Sequence, residues 1–295
     1  MIQFEHKCVK YSATYLLSSK YSNFWITGDF IVKIRKEHCD IFGDTSLEQA
    51  KYQTDSEYIR GTRFEPSIYK GVVECLNESG NPTTGLLMKF VDNSHRLDSC
   101  HTHIDSSSWI LLTKKIKALI NNAPIIDVYD YSSSLAAGNK RLSDNVNHKG
   151  GTQWLSLAWE MLTKQTDFLS ATFEKRVASQ QIKDLHGDLG FTNIYFHKTQ
   201  FFSLDPCVAS QDMYYIDSLY QYADFMSELI RYRRVDLFNL ILNFIEHEKT
   251  YDKTLLYYYL LRHCLIRASV HFLAKEKDYL LYQSAWEEIY ALSKQ

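Results

Sequence analysis

Asp188, Asn193 and Asp205 lie in the run Leu185-His186-Gly187-Asp188-Leu189-Gly190-Phe191-Thr192-Asn193-Ile194-Tyr195-Phe196 and its sequel Phe202-Ser203-Leu204-Asp205. A carboxylate is followed five residues on by an amide, and twelve residues beyond that by a second carboxylate. These types suit phosphoryl transfer. One carboxylate orients an attacking hydroxyl and takes its proton. An amide and a second carboxylate offer the hard oxygens that Mg²⁺ on nucleotide phosphates prefers. A strand–loop–strand segment over 183–205 holds the three at one mouth. His186-Gly187-Asp188 alone reads as a turn, since Asp and Gly favour turns anyway. The Asn at its offset and the Asp ending the next strand turn the reading from a turn to a site.

The spacing is that of the catalytic frame H-R-D-L-x-x-x-N followed by a metal-binding Asp, with Gly187 in place of Arg. With Gly there it resembles the aminoglycoside phosphotransferase group of the protein-kinase-like fold. The resemblance extends outward. Phe30-Ile31-Val32-Lys33-Ile34-Arg35-Lys36 looks like the strand carrying the ATP-binding lysine, and Ser56-Glu57-Tyr58-Ile59-Arg60 like the helix carrying its glutamate partner. Pro66-Ser67-Ile68-Tyr69-Lys70-Gly71-Val72-Val73, Ile216 to Asp224, and Tyr259 to Ala268 resemble a largely uncharacterised branch of these enzymes. The match runs from about residue 10 to about residue 275. That branch is often fused to a P-loop kinase domain, and no G-x-x-x-x-G-K-[ST] occurs in this sequence.

The resemblance implies an α+β, bilobal fold: an antiparallel sheet plus helix over 1–91 that binds nucleotide, and a mainly helical lobe over 92–295 with the catalytic and acceptor residues. It implies ATP and Mg²⁺, with a small-molecule hydroxyl as acceptor. Asp188 is the expected catalytic base, Asn193 and Asp205 the metal ligands, and Lys33 with Glu57 the nucleotide-binding pair. Two other readings stand beside this one: AMP transfer to a protein on the same scaffold, and a nucleotide-binding module without catalysis.

Each position has a plainer reading too. Lys33 shares a strand face with Ile31, which suits a cation entering a cleft, but a solvated strand lysine has the same pattern. Glu48 and Asp55 rival Glu57 on the same helix. No G-x-G-x-x-G precedes Lys33, so the phosphate turn falls to Leu17-Ser18-Ser19-Lys20-Tyr21-Ser22, through hydroxyls and backbone N–H groups. Pro206-Cys207 follow Asp205 where protein kinases have Phe-Gly, which argues against an activation switch and not against metal binding. Gly190 replaces a His that many relatives carry. Asp217 resembles the position that braces the catalytic loop, and Asp212, Asp224 and Glu228 are candidates for an acidic acceptor pocket or for ordinary helix-surface charge.

The elements that must position these groups change character along the chain. Up to Val91 the sequence is turn-punctuated: strands at 11–17, 23–34 (broken at Gly28-Asp29), 69–76 and 85–91, with a helix over 46–60 capped by Thr45 or Ser46. Asn77-Glu78-Ser79-Gly80-Asn81-Pro82 is a strong turn cluster. Beyond Asn93 the spacing is helical, over 106–121 and 152–173, then in three or four helices from Met213. The polar, Ser- and Asn-rich stretch 129–151 reads as a long connection.

Composition sets the class. With 295 residues, 45% hydrophobic and 23% charged, the chain suits a soluble globular protein. A net charge of −2 gives no electrostatic case for nucleic acid or an anionic membrane. The six cysteines form no C-x-x-C, so a reduced compartment is expected, and Cys100-His101-Thr102-His103 reads as a polar loop without a second ligand pair. Met1 to Lys7 has no apolar leader and no run spans a bilayer, so a cytoplasmic protein of unspecified oligomeric state is expected.

Overall fold

A computed structural model describes residues 1–294 apart from 8, 20–21, 37, 40–42, 45 and 77–79. The elements begin β1 (Ile2–His6), β2 (Val9–Ser18), β3 (Ser22–Thr27), β4 (Phe30–Arg35), β5 (His38–Cys39), β6 (Gly43–Asp44), α1 (Leu47–Phe64), β7 (Tyr69–Leu76), β8 (Pro82–Lys89) and α2 (Leu97–Cys100). They continue α3 (Ser106–Asn122), α4 (Tyr131–His148), α5 (Gln153–Phe168), α6 (Ser170–Ala178), β9 (Ile182–Asp184), β10 (Ile194–His197) and β11 (Gln200–Ser203). The last are β12 (Tyr215–Asp217), α7 (Ser218–Arg231), α8 (Val235–Ile245), α9 (Lys253–Leu273) and α10 (Tyr279–Leu292). The chain divides into two compact units, Met1–His101 with Thr192–Ala209, and Thr102–Phe191 with Ser210–Gln295.

In the first unit the sheet closes. β1, β2, β3, β4, β8 and β7 follow one another around an antiparallel barrel, and β1, absent from the sequence reading, supplies the closure by pairing Phe4 with Cys75 of β7. Alternation along the strands divides their side chains between two layers. Val32 and Ile34 enter a barrel core with Ile2, Phe4, Trp25, Val73 and Leu87. Ile31 belongs to the other layer, with Ile68, Tyr69, Leu86, Met88 and Leu204. Period two therefore puts Lys33 on that second layer, which contains the end of β11. Ser46, one of the two expected caps, starts α1 with a capping box: its hydroxyl accepts from Gln49 N–H at 3.2 Å, and the Gln49 amide oxygen accepts from Ser46 N–H at 2.9 Å. Thr45 and the 77–79 part of the next turn lie outside the described residues.

The second unit is mainly helical. Residues 131–148, expected as a connection, form α4. Asp130 caps it, and Tyr131, Leu135, Leu142 and Val146 are buried at helical spacing, while Ser133, Lys140, Asp144 and Asn147 lie on its exposed face. Low intrinsic propensity hid a helix that packing supports. The helical pattern over 152–173 is two helices, α5 and α6, parted at Leu169. Two short ribbons complete the architecture, β9 with β12 and β10 with β11. The loop 185–193 thus joins two different ribbons and does not cap one hairpin. Among the described residues no helix is long and apolar enough to cross a membrane.

Candidate active site

Lys33 is 7% exposed, and its ammonium reaches Oε1 of Glu57 at 2.9 Å and Oδ1 of Asp205 at 2.9 Å. Residues far apart in sequence thus meet in the first unit, two on the barrel and its helix and one at the end of β11. Of the rivals on α1, Glu48 is exposed and Asp55 partly buried, while Glu57 is 1% exposed. Arg35, two residues on from Lys33 and so on the same face, donates to the other oxygen of Glu57. The sequence reading gave Arg35 no role, although period two along β4 placed it there.

Two cations and two anions make this a closed charge cluster. Burial pushes the Lys33 ammonium toward losing its proton, but the charges of Asp205 and then Glu57 outweigh that and raise its pKa. Burial also pushes the Asp205 carboxyl up, and the Lys33 charge and hydrogen bond bring it below the ordinary range. Lys33 is therefore charged and Asp205 ionised at neutral pH.

Asn193 lies across the ribbon from Leu204, the residue before Asp205. Leu204 N–H donates to the Asn193 carbonyl at 2.8 Å, next in line after the Ile194–Ser203 pair. The amide and the carboxylate thus come from one end of one ribbon, and 44% of the Asp205 side chain is open to solvent. This donor set fits Mg²⁺, which takes one or two protein oxygens together with phosphates and water. Among the described residues no group of three or more His, Cys, Asp and Glu could hold a metal without such help.

The turn expected to face phosphate is held by its own serines. Ser19 N–H donates to the Ser22 carbonyl at 2.8 Å, and Ser22 N–H to the Ser19 hydroxyl at 3.1 Å. Lys36 adds a bond to the Ser19 carbonyl at 2.5 Å. Lys20 and Tyr21, between them, lie outside the described residues.

Asp188 is in the second unit, on a loop pinned from both sides. Leu185, Leu189 and Phe191 are buried, with Phe191 stacked on Tyr232 at 5.1 Å and tilted against Trp109 and Phe225. Backbone N–H groups carry the rest. Gln221 Oε1 accepts from His186 N–H at 2.9 Å, and Asp224 Oδ2 from Leu189 N–H at 3.0 Å. Gly187, at φ +77°, lets the chain turn between them. With its neighbours fixed, Asp188 keeps 35% of its side chain exposed, and Arg267 Nη1 stands 3.5 Å from its Oδ1.

The brace is therefore Gln221 and Asp224. Asp217, expected in that part, instead forms a two-point pair with Arg176 at 2.6 and 2.7 Å and caps α7 through Leu219 N–H at 2.8 Å. The acids expected around an acceptor are also engaged. Asp224 is 1% exposed and bonded to His263, Glu228 is 1% exposed and accepts from Tyr282 at 2.6 Å, and Asp212 pairs with Arg141 at 3.1 Å. α7 is buried along almost its whole length, so its carboxylates face inward.

Comparison with solved structures gives the architecture its place. The chain is similar to choline kinase from Cryptosporidium parvum Iowa II, with TM-score 0.56 and 10% identity over 96% of this chain and 89% of the other. It is also similar to a choline/ethanolamine kinase family protein from Mesorhizobium loti, with TM-score 0.57 and 9% identity over 96% and 88%. Ethanolamine kinase from Plasmodium vivax gives TM-score 0.56 and 9% identity over 94% and 82%. The chain has the protein-kinase-like fold. No family model matches the sequence, and no curated protein sequence matches it.

Proposed function

We propose that this protein is an ATP- and Mg²⁺-dependent phosphotransferase acting on a hydroxyl of a small molecule. The observation that carries the reading is the position of Lys33 Nζ, 2.9 Å from both Glu57 and Asp205. In kinases of this fold the lysine–glutamate pair must be formed and the metal-binding Asp must stand beside it. Residues 1–91 supply the nucleotide pair Lys33 and Glu57, and 92–295 supply Asp188 and the ligands Asn193 and Asp205. Asn193 and Asp205 would hold Mg²⁺, which would offset the charge that develops on the transferring phosphoryl group.

Asp188 orients the acceptor hydroxyl and receives its proton as the hydroxyl oxygen bonds to the γ-phosphorus and ADP leaves. Gln221 and Asp224 fix the backbone that presents it. Arg267 holds one carboxylate oxygen, which restricts the rotamers Asp188 can sample. The structural neighbours are named for choline and ethanolamine. Asp212, Asp224 and Glu228 are already bonded in this chain, so these three do not offer a carboxylate seat for a cation, and the acceptor is proposed only as a small-molecule hydroxyl.

The test is a panel of hydroxyl acceptors with ATP and Mg²⁺, read by ³¹P NMR, with Asp188→Ala as control. The expected result is ADP and a phosphate ester that depend on metal, acceptor and Asp188. AMP on the product would move the protein to nucleotidyl transfer. Absence of any Mg²⁺-dependent nucleotide binding would end the enzymatic reading.

A further inference from the structure

Asp205 has φ +56°, in the left-handed region. A residue with a Cβ is strained there, though Asp tolerates it better than most, and the surroundings must hold it. In protein kinases the Phe after this Asp packs into the core and sets its position. Here Pro206 follows, with neither that ring nor a backbone N–H.

We infer that Tyr69 is a positioning residue that takes over this anchoring from another strand, through a hydrogen bond to the Asp205 backbone. Asp205 N–H donates to the Tyr69 hydroxyl at 2.8 Å. Tyr69 opens β7, is 2% exposed, and packs with Leu204 in the layer that also holds Ile68 and Met88. Its ring lies on α1 at Gly61, where an added Cβ would meet ring carbons at 2.4 Å, so the seat exists because residue 61 has no side chain.

The helix beneath supports the same strand at three heights. Glu57, Gly61 and Glu65 are four residues apart and lie on one stripe of α1 and its C-cap. Glu57 acts on the Asp205 carboxylate through Lys33. Gly61 seats the ring that receives the Asp205 N–H. Glu65 Oε1 accepts from Ser203 N–H at 3.0 Å. Burial, then the charges of Asp205 and Glu57, push the Tyr69 phenol well above its ordinary pKa, so it stays neutral and adds no third anion to the cluster.

The inference rests on the reading of Asp205 as a metal ligand, and its test separates the two. Hydrogen exchange of the Asp205 amide needs no ligand. In the wild-type protein this amide is expected to be protected although nearly half its side chain faces water, and Tyr69→Phe, which keeps the ring, is expected to speed its exchange about tenfold. Free exchange in the wild type, or unchanged exchange in Tyr69→Phe, overturns the inference whatever nucleotide binding does. The second arm is a Mg²⁺ titration of ATP binding by calorimetry. Tyr69→Phe should raise the half-saturating Mg²⁺ concentration about tenfold, as loss of an outer-shell partner typically does, with metal-free ATP affinity unchanged. An equal loss of metal-free affinity would mean that Tyr69 supports the whole nucleotide site and would overturn the specific role. Gly61→Ala should reproduce the Mg²⁺ shift by displacing the ring. A wild type without Mg²⁺-dependent binding sinks the reading of Asp205 as ligand, while the exchange arm still decides the anchor.

Discussion

Around Lys33 charge is held by charge, whereas around Asp188 the loop is held by its backbone. In the first unit Lys33, Arg35, Glu57 and Asp205 neutralise one another, with three of the four side chains well buried. In the second unit the proposed catalytic carboxylate, Asp188, is part-exposed, and buried side chains of α7 grip the peptide groups beside it. Removing a member of the first arrangement leaves a buried charge uncompensated. Removing Asp188 leaves the loop's own anchors intact. Stability and function should therefore separate cleanly in the second region and remain tied in the first.

The largest effect tests that separation directly. Asp188→Asn should lower kcat about 10²–10⁴-fold, while stability falls by about 1 kcal/mol or less, since the pair with Arg267 is weakened and the backbone anchors stay. Urea denaturation and turnover on the same preparation make the comparison. A variant that unfolds easily would show that Asp188 is part of its own brace.

Glu57→Gln should behave in the opposite way. Two cations converge on this buried carboxylate, so its loss should cost about 3 kcal/mol of stability, the low end for breaking a buried pair. Nucleotide affinity should fall with it, because Lys33 loses the partner that aims it. If the variant binds ATP normally and only its stability suffers, Lys33 is aimed by Asp205 alone.

The same contrast explains what the sequence made legible. Lys33, Glu57 and Asp205 stood out in the sequence through the family resemblance and the regular period of strand and helix, and the structure brings the three within hydrogen-bond reach. The frame of strands on either side of Gly28-Asp29, and of α1, followed from turn residues and a cap. α4 was not readable: its Ser, Asn and Gly residues carry weak helix propensity, and its burial against the rest of the unit cannot be seen in a local window. The loop brace was misassigned for a related reason. Asp217 caps α7 while Gln221 and Asp224 lie on it, and only tertiary structure decides which of them meets a peptide N–H of the loop and which meets Arg176. Barrel closure depended on pairing between β1 and β7, residues far apart in sequence.

Gln221→Ala sharpens the comparison from the loop side. It removes the acceptor for His186 N–H and a donor to Asp224, leaving buried groups unsatisfied, so stability should fall by about 2 kcal/mol. Turnover should fall further than stability explains, since the backbone that aims Asp188 is released, while ATP affinity holds. Equal ATP affinity in Gln221→Ala and wild type, beside the loss in Glu57→Gln, would confirm that the two arrangements serve different ends of the reaction. Loss of ATP binding in Gln221→Ala would break the distinction.

The smallest effect appears only in acid. Burial raises the Asp224 carboxyl, but the His263 imidazole bonded to it and the Leu189 N–H more than compensate, so its net direction is downward. A carboxyl lowered in the folded state stabilises above its unfolded pKa, about 3.9, and that contribution is lost as pH falls through the folded value. Asp205 is lowered too, yet 44% of its side chain faces water and its share is screened. Below about pH 4 the acid limb of the stability curve should therefore reflect Asp224 more than Asp205. Asp224→Asn should start less stable than wild type at neutral pH, and the two curves should converge as the pH drops, because the wild type loses an interaction the variant never had. Urea denaturation from pH 7 to pH 3 reads this directly. Parallel curves would mean that Asp224 grips the loop as a hydrogen-bond acceptor only, and that both regions owe their acid sensitivity to groups outside the brace.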